Sequence, residues 1–515
     1  CYSLFSCMIR YLHHDLLLRF VFIFMGILVW SNLSIISEPW KATSQRYEVM
    51  PTAKTYFESY NFLNYSSSFL SLSSLYTDHQ DVASNILNTS NSLETSAWKR
   101  NISRMLLMGH YLGMTGADMA LHSLAQVGYD SGATMEFYFP FAISSHSVHP
   151  KALKLHSSFK LHFDDWNLTQ QPWIDYDCIL VNTASLEATY LVFQRLSQDL
   201  STKQMDLIYQ KVIVWIHEFY TDYSASLELL MRRAKLLMFC SEAARKNWMI
   251  PFPWILNKST ILSPAISVER ASSLLAIPRT QSTNTSVIRQ LPNDIRTFSG
   301  NDTILLYVGS MSTKKGVPQL ISSFVSFIRH FQPKLDSAFH LMLVGRIGKS
   351  SDNFSPRKLI QRANRKLERM PTPSQISYFH PNDDLLPFYK VADIFILNSF
   401  SETLGMVIME AMLAGLIVIS RDCGGPASLL QNGITGFLLP NHSPNDVVGQ
   451  VSDLTDFLLN LTRPTDWKES LQPIGVQARL TASSNFTTHR MSMDLDRAII
   501  QTFGGVLVAN ITMER

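Results

Sequence analysis

The stretch Thr403-Leu-Gly-Met-Val-Ile-Met-Glu410-Ala-Met-Leu-Ala-Gly-Leu-Ile-Val-Ile-Ser420 carries a single charge. Burying an ionised carboxylate without partners is strongly unfavourable, so Glu410 needs a hydrogen-bonded use. Eight positions earlier stands Glu402, just after the polar run Asn398-Ser-Phe-Ser401. Two acids at this spacing, astride a loop-to-helix junction, are what a site for a polyhydroxylated ligand requires.

Two plainer readings compete. Eighteen residues with one charge are long enough to consider as a membrane span. Gly415 breaks the run, however, and Leu416-Ile-Val-Ile-Ser420 is short and β-branched. A helix, a glycine stop and a buried parallel strand fit better. The other reading is a structural Glu410 held by neighbouring backbone amides.

At 515 residues the chain has room for two or three domains with full cores. Its net charge is +3 with 17% charged residues, and basic runs stop at pairs such as Arg232-Arg233 and Lys314-Lys315. No nucleic-acid partner is indicated. Phe20–Trp30 is uncharged and mostly apolar, and the run continues to Ile36. It reads as a spanning signal anchor at the lower length limit, with a cleaved signal peptide as the alternative. Thirteen Asn-x-Ser/Thr triplets, from Asn32 to Asn510, suggest a glycosylated, lumenal body. Together these features predict a single-pass membrane protein of the secretory pathway, in the Golgi or endoplasmic reticulum. The five cysteines (Cys1, Cys7, Cys178, Cys240 and Cys423) form no framework and read as buried thiols.

Residues 1–37 are expected to be a cytosolic tail and anchor, and the Ser-rich residues 38–100 a stem. Short apolar runs then alternate with helix-length segments: Arg104–Gly109, Tyr176–Val181, Val212–Ile216 and Ala234–Cys240. Residues 271–302 have the Ser, Thr, Asn and Pro content of a connector. The opening pattern then repeats as strand Thr303–Val308, Gly loop Gly309–Gly316 and helix Val317–Ile328. Strands are expected at His340–Val344, Ile376–Phe379, Asp393–Leu397 and Leu416–Ser420. The fold class is therefore α/β, with two doubly wound domains over 101–295 and 296–484. A last amphipathic helix is expected at Phe486–Phe503, within 485–515. Ligands of such sheets bind beyond the carboxyl ends of the strands, here in the cleft between domains.

The E-x7-E element Glu402–Glu410 resembles that of retaining GT-B glycosyltransferases of family 4 type, the glycosyl transferases group 1. Asp422-Cys-Gly-Gly-Pro426, Asn432–Phe437, Val308-Gly309 through Lys315-Gly316, Leu343-Val-Gly345 and Phe388–Asp393 are similar to that family as well. So are Thr115-Gly-Ala117, Trp215-Ile-His-Glu218 and Cys240-Ser-Glu-Ala243 in the first half. The resemblance covers about residues 104–505 and implies a GT-B fold, two Rossmann-like domains facing a cleft, with that last helix crossing back to the first domain.

It also implies roles. Glu402 holds hydroxyls of the donor sugar and Glu410 the ribose diol. Leu404, Gly405 and Met406 open a helix whose N-terminus receives the diphosphate. Lys315 neutralises the leaving group. Gly309, and Gly113 with Gly116, bring backbone close to the phosphates, while Phe379 and His380 meet the nucleobase through backbone atoms. His217, after a strand, contacts the transferred sugar; His110 is a poorer candidate. Ser310 departs from the family, which carries a basic residue just after the first glycine, and Lys314 or Arg346 are the local substitutes.

The expected partners are a UDP- or GDP-linked sugar donor, a glycan, lipid or protein acceptor, and the membrane through the anchor. No metal cofactor is expected: Asp175-Tyr-Asp177 and Asp494-Leu-Asp496 read as solvated or capping residues. A weakly active or inactive nucleotide-sugar-binding protein and a sugar-nucleotide epimerase are the alternatives. A phosphorylase lacks its cofactor lysine context, and no Gly-x-Gly-x-x-Gly follows a strand as a dehydrogenase requires.

Overall fold

The computed structural model describes residues 102–109, 116–140, 156–163, 173–183, 186–220, 226–278, 289–291, 297–331, 338–347, 355–372, 374–380 and 384–513. All fall within one compact unit. The expected anchor and stem lie outside the described residues. Among the described residues no helix is long and apolar enough to cross a membrane.

Two parallel sheets organise the chain. The first runs β1 (Arg104–Met108), β2 (Thr134–Tyr138), β3 (Lys160–His162), β4 (Cys178–Thr183), β5 (Val212–Ile216), β6 (Leu236–Phe239) and β7 (Ser259–Ile261). Their spatial order is β3-β2-β1-β4-β5-β6-β7, all parallel. After a two-stranded ribbon, β8 (Arg289–Gln290) and β9 (Thr297–Phe298), comes the second sheet. It comprises β10 (Thr303–Val308), β11 (Phe339–Val344), β12 (Ser374–Phe379), β13 (Ile394–Leu397), β14 (Ile417–Arg421) and β15 (Phe437–Leu439), in the order β12-β11-β10-β13-β14-β15. Strands such as Val212–Ile216 and Thr303–Val308 are buried throughout and almost wholly apolar because helices cover both faces of these sheets.

The stretch 403–420 divides as its composition requires. Met406–Leu413 is a helix, Gly415 turns the chain at φ 70°, and β14 begins at Ile417. The strands β2, β3, β7 and β15 escape the sequence reading; β3, β7 and β15 hold only three residues each, too few to show a pattern, while β2 has the length of strands that were read.

The chain returns to the first sheet at its end. In the helix Thr488–Met513, Met491, Leu495, Ala498 and Ile499 follow helical spacing and join the core built from β1, β2, β4 and the helix Gly116–Asp130. Ile266 N–H also donates to Phe486 O at 3.0 Å, tying the end of the first half to the entry of that helix.

Candidate active site

In the second sheet β10 and β13 are neighbours whose connections leave in opposite directions, β10 toward β11 and β13 toward β14. That is a topological switch point, where doubly wound sheets bind ligands. The loop after β10 is Gly309–Gly316 and the loop after β13 is Asn398–Gly405. The site is built from these two loops.

Backbone geometry demands glycine at their meeting point. Gly316 has φ 64°, and a Cβ there would lie 2.0 Å from the Asn398 carbonyl oxygen. The Asn398 side-chain amide donates to Gly316 O at 2.9 Å, and its Oδ1 accepts from Arg421 Nε at 2.9 Å. Arg421 is fully buried and also donates to Pro440 O and Gln450 O. Burial pushes its guanidinium down to about 10. A buried cation, satisfied by three acceptors, thus braces Asn398 from below and the lysine loop through it.

That bracing sets Lys315 against Glu402. Lys315 Nζ donates to Glu402 Oε2 at 2.5 Å, with side-chain exposures of 30% and 16%. Glu402 is held by its backbone as well. It bridges to Gly424, and its carbonyl accepts from Gly425 N–H at 2.7 Å. A Cβ on Gly425 would come within 2.3 Å of the Leu404 nitrogen, so this approach also needs glycine. An ammonium has three donors, so Lys315 can keep Glu402 and still reach an anion.

Gly405, at φ 92°, caps the helix Met406–Leu413 without any side-chain hydrogen bond. An uncapped helix N-terminus favours an anion. One turn on, Glu410 accepts from Arg270 Nε at 2.9 Å and from the Tyr389 hydroxyl at 2.8 Å. Burial works against the Arg270 charge, yet the Glu410 carboxylate outweighs it and holds the guanidinium above its ordinary value. Burial first, and then the Glu410 charge, raise the Tyr389 hydroxyl well above its ordinary value, so it remains a donor.

The first half supplies the facing wall. Gly116 opens the helix Gly116–Asp130, and a Cβ there would meet Met406 Sδ at 3.6 Å. Ser241 Oγ donates to Thr403 O at 2.5 Å. Phe219 lies against Gly424, 3.0 Å from where a Cβ would be. His217, two residues before Phe219, follows β5 and packs its ring on Trp215 at 4.5 Å between centroids. Burial pushes its imidazole down to about 3. At neutral pH it is an uncharged hydrogen-bonding group rather than a cation.

Gly309, Lys315, Leu404, Gly405, Met406, Glu402 and Glu410 therefore come together at one strand edge, with Gly116 against Met406. Gly309 packs its carbonyl so tightly on Gly345 that a Cβ there would sit 1.6 Å away. Phe379 ends β12, the outer strand; its carbonyl accepts from Gly345 N–H at 3.0 Å, and His380 beside it is exposed. Gly113 and His110 lie outside the described residues. Sequence reasoning missed Arg270 as a partner of Glu410, because the two stand 140 residues apart and no local pattern joins them. Tyr389 lay inside the quoted motif Phe388–Asp393 but carried no assigned role.

The cysteines and the two Asp-x-Asp pairs take structural places. Cys178, Cys240 and Cys423 are buried and unbridged. Asp177 accepts from the Ser103 and Arg104 backbone amides, and Asp494 pairs with Arg490 and Arg497 along one helix. Among the described residues no group of three or more His, Cys, Asp or Glu side chains is arranged to hold a metal ion.

Residues 293–460 match the family model for glycosyl transferases group 1. The chain is similar to the D-inositol 3-phosphate glycosyltransferase of Paenarthrobacter aurescens (strain TC1), at 26% identity over 30% of this chain and 35% of that protein. It is similar to the protein of the same name from Corynebacterium glutamicum (strain R), at 29% identity over the same shares. The match thus spans about a third of these relatives' length. In fold, the chain resembles the crystal structure of Anabaena Alr3699/HepE in complex with UDP and glucose (TM-score 0.55, 16% identity, 78% of this chain and 100% of that one). A glycosyltransferase from Rickettsia africae ESF-5 is similar too (TM-score 0.53, 16% identity, 78% and 99%).

These relatives overturn the secretory-pathway placement read from sequence. They are bacterial proteins, from cells without a Golgi. Asn-x-Ser/Thr is only a three-residue pattern and arises in any chain rich in serine and threonine. Residues 293–460 thus match the glycosyl transferases group 1 family, within a chain of GT-B fold.

Proposed function

We propose that the protein transfers a sugar, with retention of anomeric configuration, from a nucleoside-diphosphate donor to a hydroxyl acceptor. The observation that carries this reading is the Lys315–Glu402 pair beside the uncapped helix Met406–Leu413, at the switch point of the second sheet. The diphosphate sits at that N-terminus with Lys315 against it. Glu402 orients hydroxyls of the donor sugar, and Glu410 takes the ribose. Gly113, Gly116 and Gly309 let backbone approach the phosphates, the Phe379–His380 strand end borders the base, and the neutral His217 hydrogen-bonds the transferred sugar.

In the reaction the bond between the anomeric carbon and the diphosphate oxygen breaks, and its electron pair leaves with the phosphate. The acceptor hydroxyl attacks from the face the leaving group departs, and its proton passes to the departing phosphate oxygen. Lys315 offsets the charge that develops there, a task this reading assigns to the lysine rather than to a metal. UDP is the first donor base to try, because the Alr3699/HepE structure holds UDP with glucose. The inositol phosphate in the relatives' names makes a polyol phosphate one acceptor class to include.

The test is transfer of labelled sugar from a panel of UDP- and GDP-sugars to such acceptors, with and without EDTA. EDTA-resistant transfer supports the whole reading. Ser310 favours a second reading, donor binding without turnover, since no basic side chain stands beside Gly309. Tight binding of UDP or GDP without transfer or hydrolysis across the panel decides for that one.

A further inference from the structure

Glu410 is half saturated. A carboxylate has roughly four acceptor sites, and Arg270 and Tyr389 occupy one on each oxygen. The Glu410 side chain keeps 17% of its surface exposed. Each oxygen is thus fixed by one protein donor and open to one more. A pair of adjacent hydroxyls, as a ribose presents, is the complement of that arrangement.

The three side chains come from three separate elements. Arg270 lies on the helix Val268–Leu275, which follows the last strand of the first sheet. Tyr389 lies on Leu386–Val391 and is fully buried. Arg270 is itself steadied, with Nη1 3.4 Å from Asp384 Oδ1 and its guanidinium carbon 5.8 Å from the Tyr389 ring centroid. A long carboxylate side chain on a helix otherwise samples several rotamers, and two anchored oxygens remove that freedom.

We propose that Arg270 and Tyr389 are positioning residues that preset Glu410 to read the ribose diol, and so select ribonucleoside over deoxyribonucleoside diphosphates. The inference rests on the donor site proposed above. A site built to hydrogen-bond a hydroxyl rejects the analogue that lacks it, because the buried acceptor is then left unmatched. Arg270 also answers the electrostatic problem of the Glu410 stretch, since it balances the carboxylate before any ligand arrives.

The experiment is calorimetric titration of the full chain with UDP, GDP and their 2′-deoxy forms. The wild type is expected to prefer the ribonucleotide by about tenfold or more. Tyr389→Phe, which keeps the ring and its packing, and Arg270→Met are each expected to weaken ribonucleotide binding about tenfold. Binding of the 2′-deoxy form should change by less than about threefold, so the preference collapses. Arg270→Lys should recover part of it, and in a Glu410→Gln background Tyr389→Phe should add little. Variants that keep the wild-type preference, or that lose both nucleotide forms equally, overturn this inference alone. A wild-type chain that binds neither UDP nor GDP overturns the donor-site reading and this inference with it.

Discussion

Two sequestered carboxylates, one in each half of the chain, are treated in opposite ways. Glu136 on β2 of the first sheet accepts from Arg104 at 2.7 and 2.9 Å, from Lys160 at 3.1 Å, and from the Tyr176 hydroxyl at 3.1 Å. His162 Nε2 lies 2.8 Å away on the same carboxylate, and the side chain is 3% exposed. Glu410, in the second sheet's half of the chain, has two protein donors and remains partly open. Burial alone would raise the Glu136 carboxyl, but the hydrogen bonds from His162, Arg104 and Lys160 bring it down to about 2. The lesson is that sequestration does not mark a functional acid. Unfilled acceptor capacity next to a cleft does.

The sharpest way to break this contrast is at the cation of the second site. Lys315→Ala should lower kcat by about a hundredfold to a thousandfold, the typical effect of removing a group aimed at developing charge. Its melting temperature should move little, because Lys315 is part-exposed and Arg421 holds the loop independently. Steady-state transfer rates and a thermal melt measure the two effects. Turnover within about tenfold of wild type would mean that another group neutralises the diphosphate.

Glu136→Gln should do the reverse, lowering stability by about 3 kcal/mol with no change in kcat. Its pH signature follows from sign. The folded carboxyl is depressed to about 2, below its ordinary value of 4.5, so its stabilisation is complete above that ordinary value. It is lost as pH falls through the window between them. Denaturant titrations at several pH values should show a steep acid decline in the wild type across that window and a flatter one in the variant.

The two acids of the second site should also separate. Glu402→Ala should lower kcat about tenfold or more while leaving UDP affinity within about threefold, as the sugar-side role proposed for its oxygens requires. Glu410→Ala should mainly weaken nucleotide binding. Loss of UDP affinity in Glu402→Ala would mean that the roles are exchanged.

What the sequence shows of all this depends on range. The glycine positions were legible, because Gly316 and Gly405 occupy left-handed backbone that few other residues adopt. The strands β10, β13 and β14 were legible because parallel, doubly covered strands are apolar over most of their length, with Thr303, Ser420 and Arg421 only at strand ends. The spacing of Glu402 and Glu410 placed both acids around one helix start. By contrast, the Arg270–Glu410 contact joins elements whose meeting depends on the whole fold. So does the saturation of Glu136, whose partners Arg104, Lys160 and Tyr176 are scattered over β1, β3 and the approach to β4. A charge in an apolar run announces that a partner exists, but only topology says which one. The secretory-pathway placement failed for a related reason: an apolar length and a three-residue pattern are both too local to fix where a chain resides.

The smallest expected effect tests how complete the cationic half of the site is. Ser310 follows Gly309 at the end of β10, is exposed, and has its carbonyl held by the Tyr307 hydroxyl at 2.8 Å. Ser310→Arg keeps that backbone bond and adds one solvated cation near the loop that carries Lys315. Exposed charges of this kind contribute about 0.2–1 kcal/mol, so kcat should rise by about 1.4-fold to fivefold. Added salt should erase the gain, because screening over a Debye length of about 10 Å at 0.1 M acts on solvated charges first. A gain that persists at high salt would place the new guanidinium in direct contact with the diphosphate. No gain at any salt would mean that Lys315 and the helix N-terminus already meet the leaving group's full demand, and that the serine is no handicap to turnover.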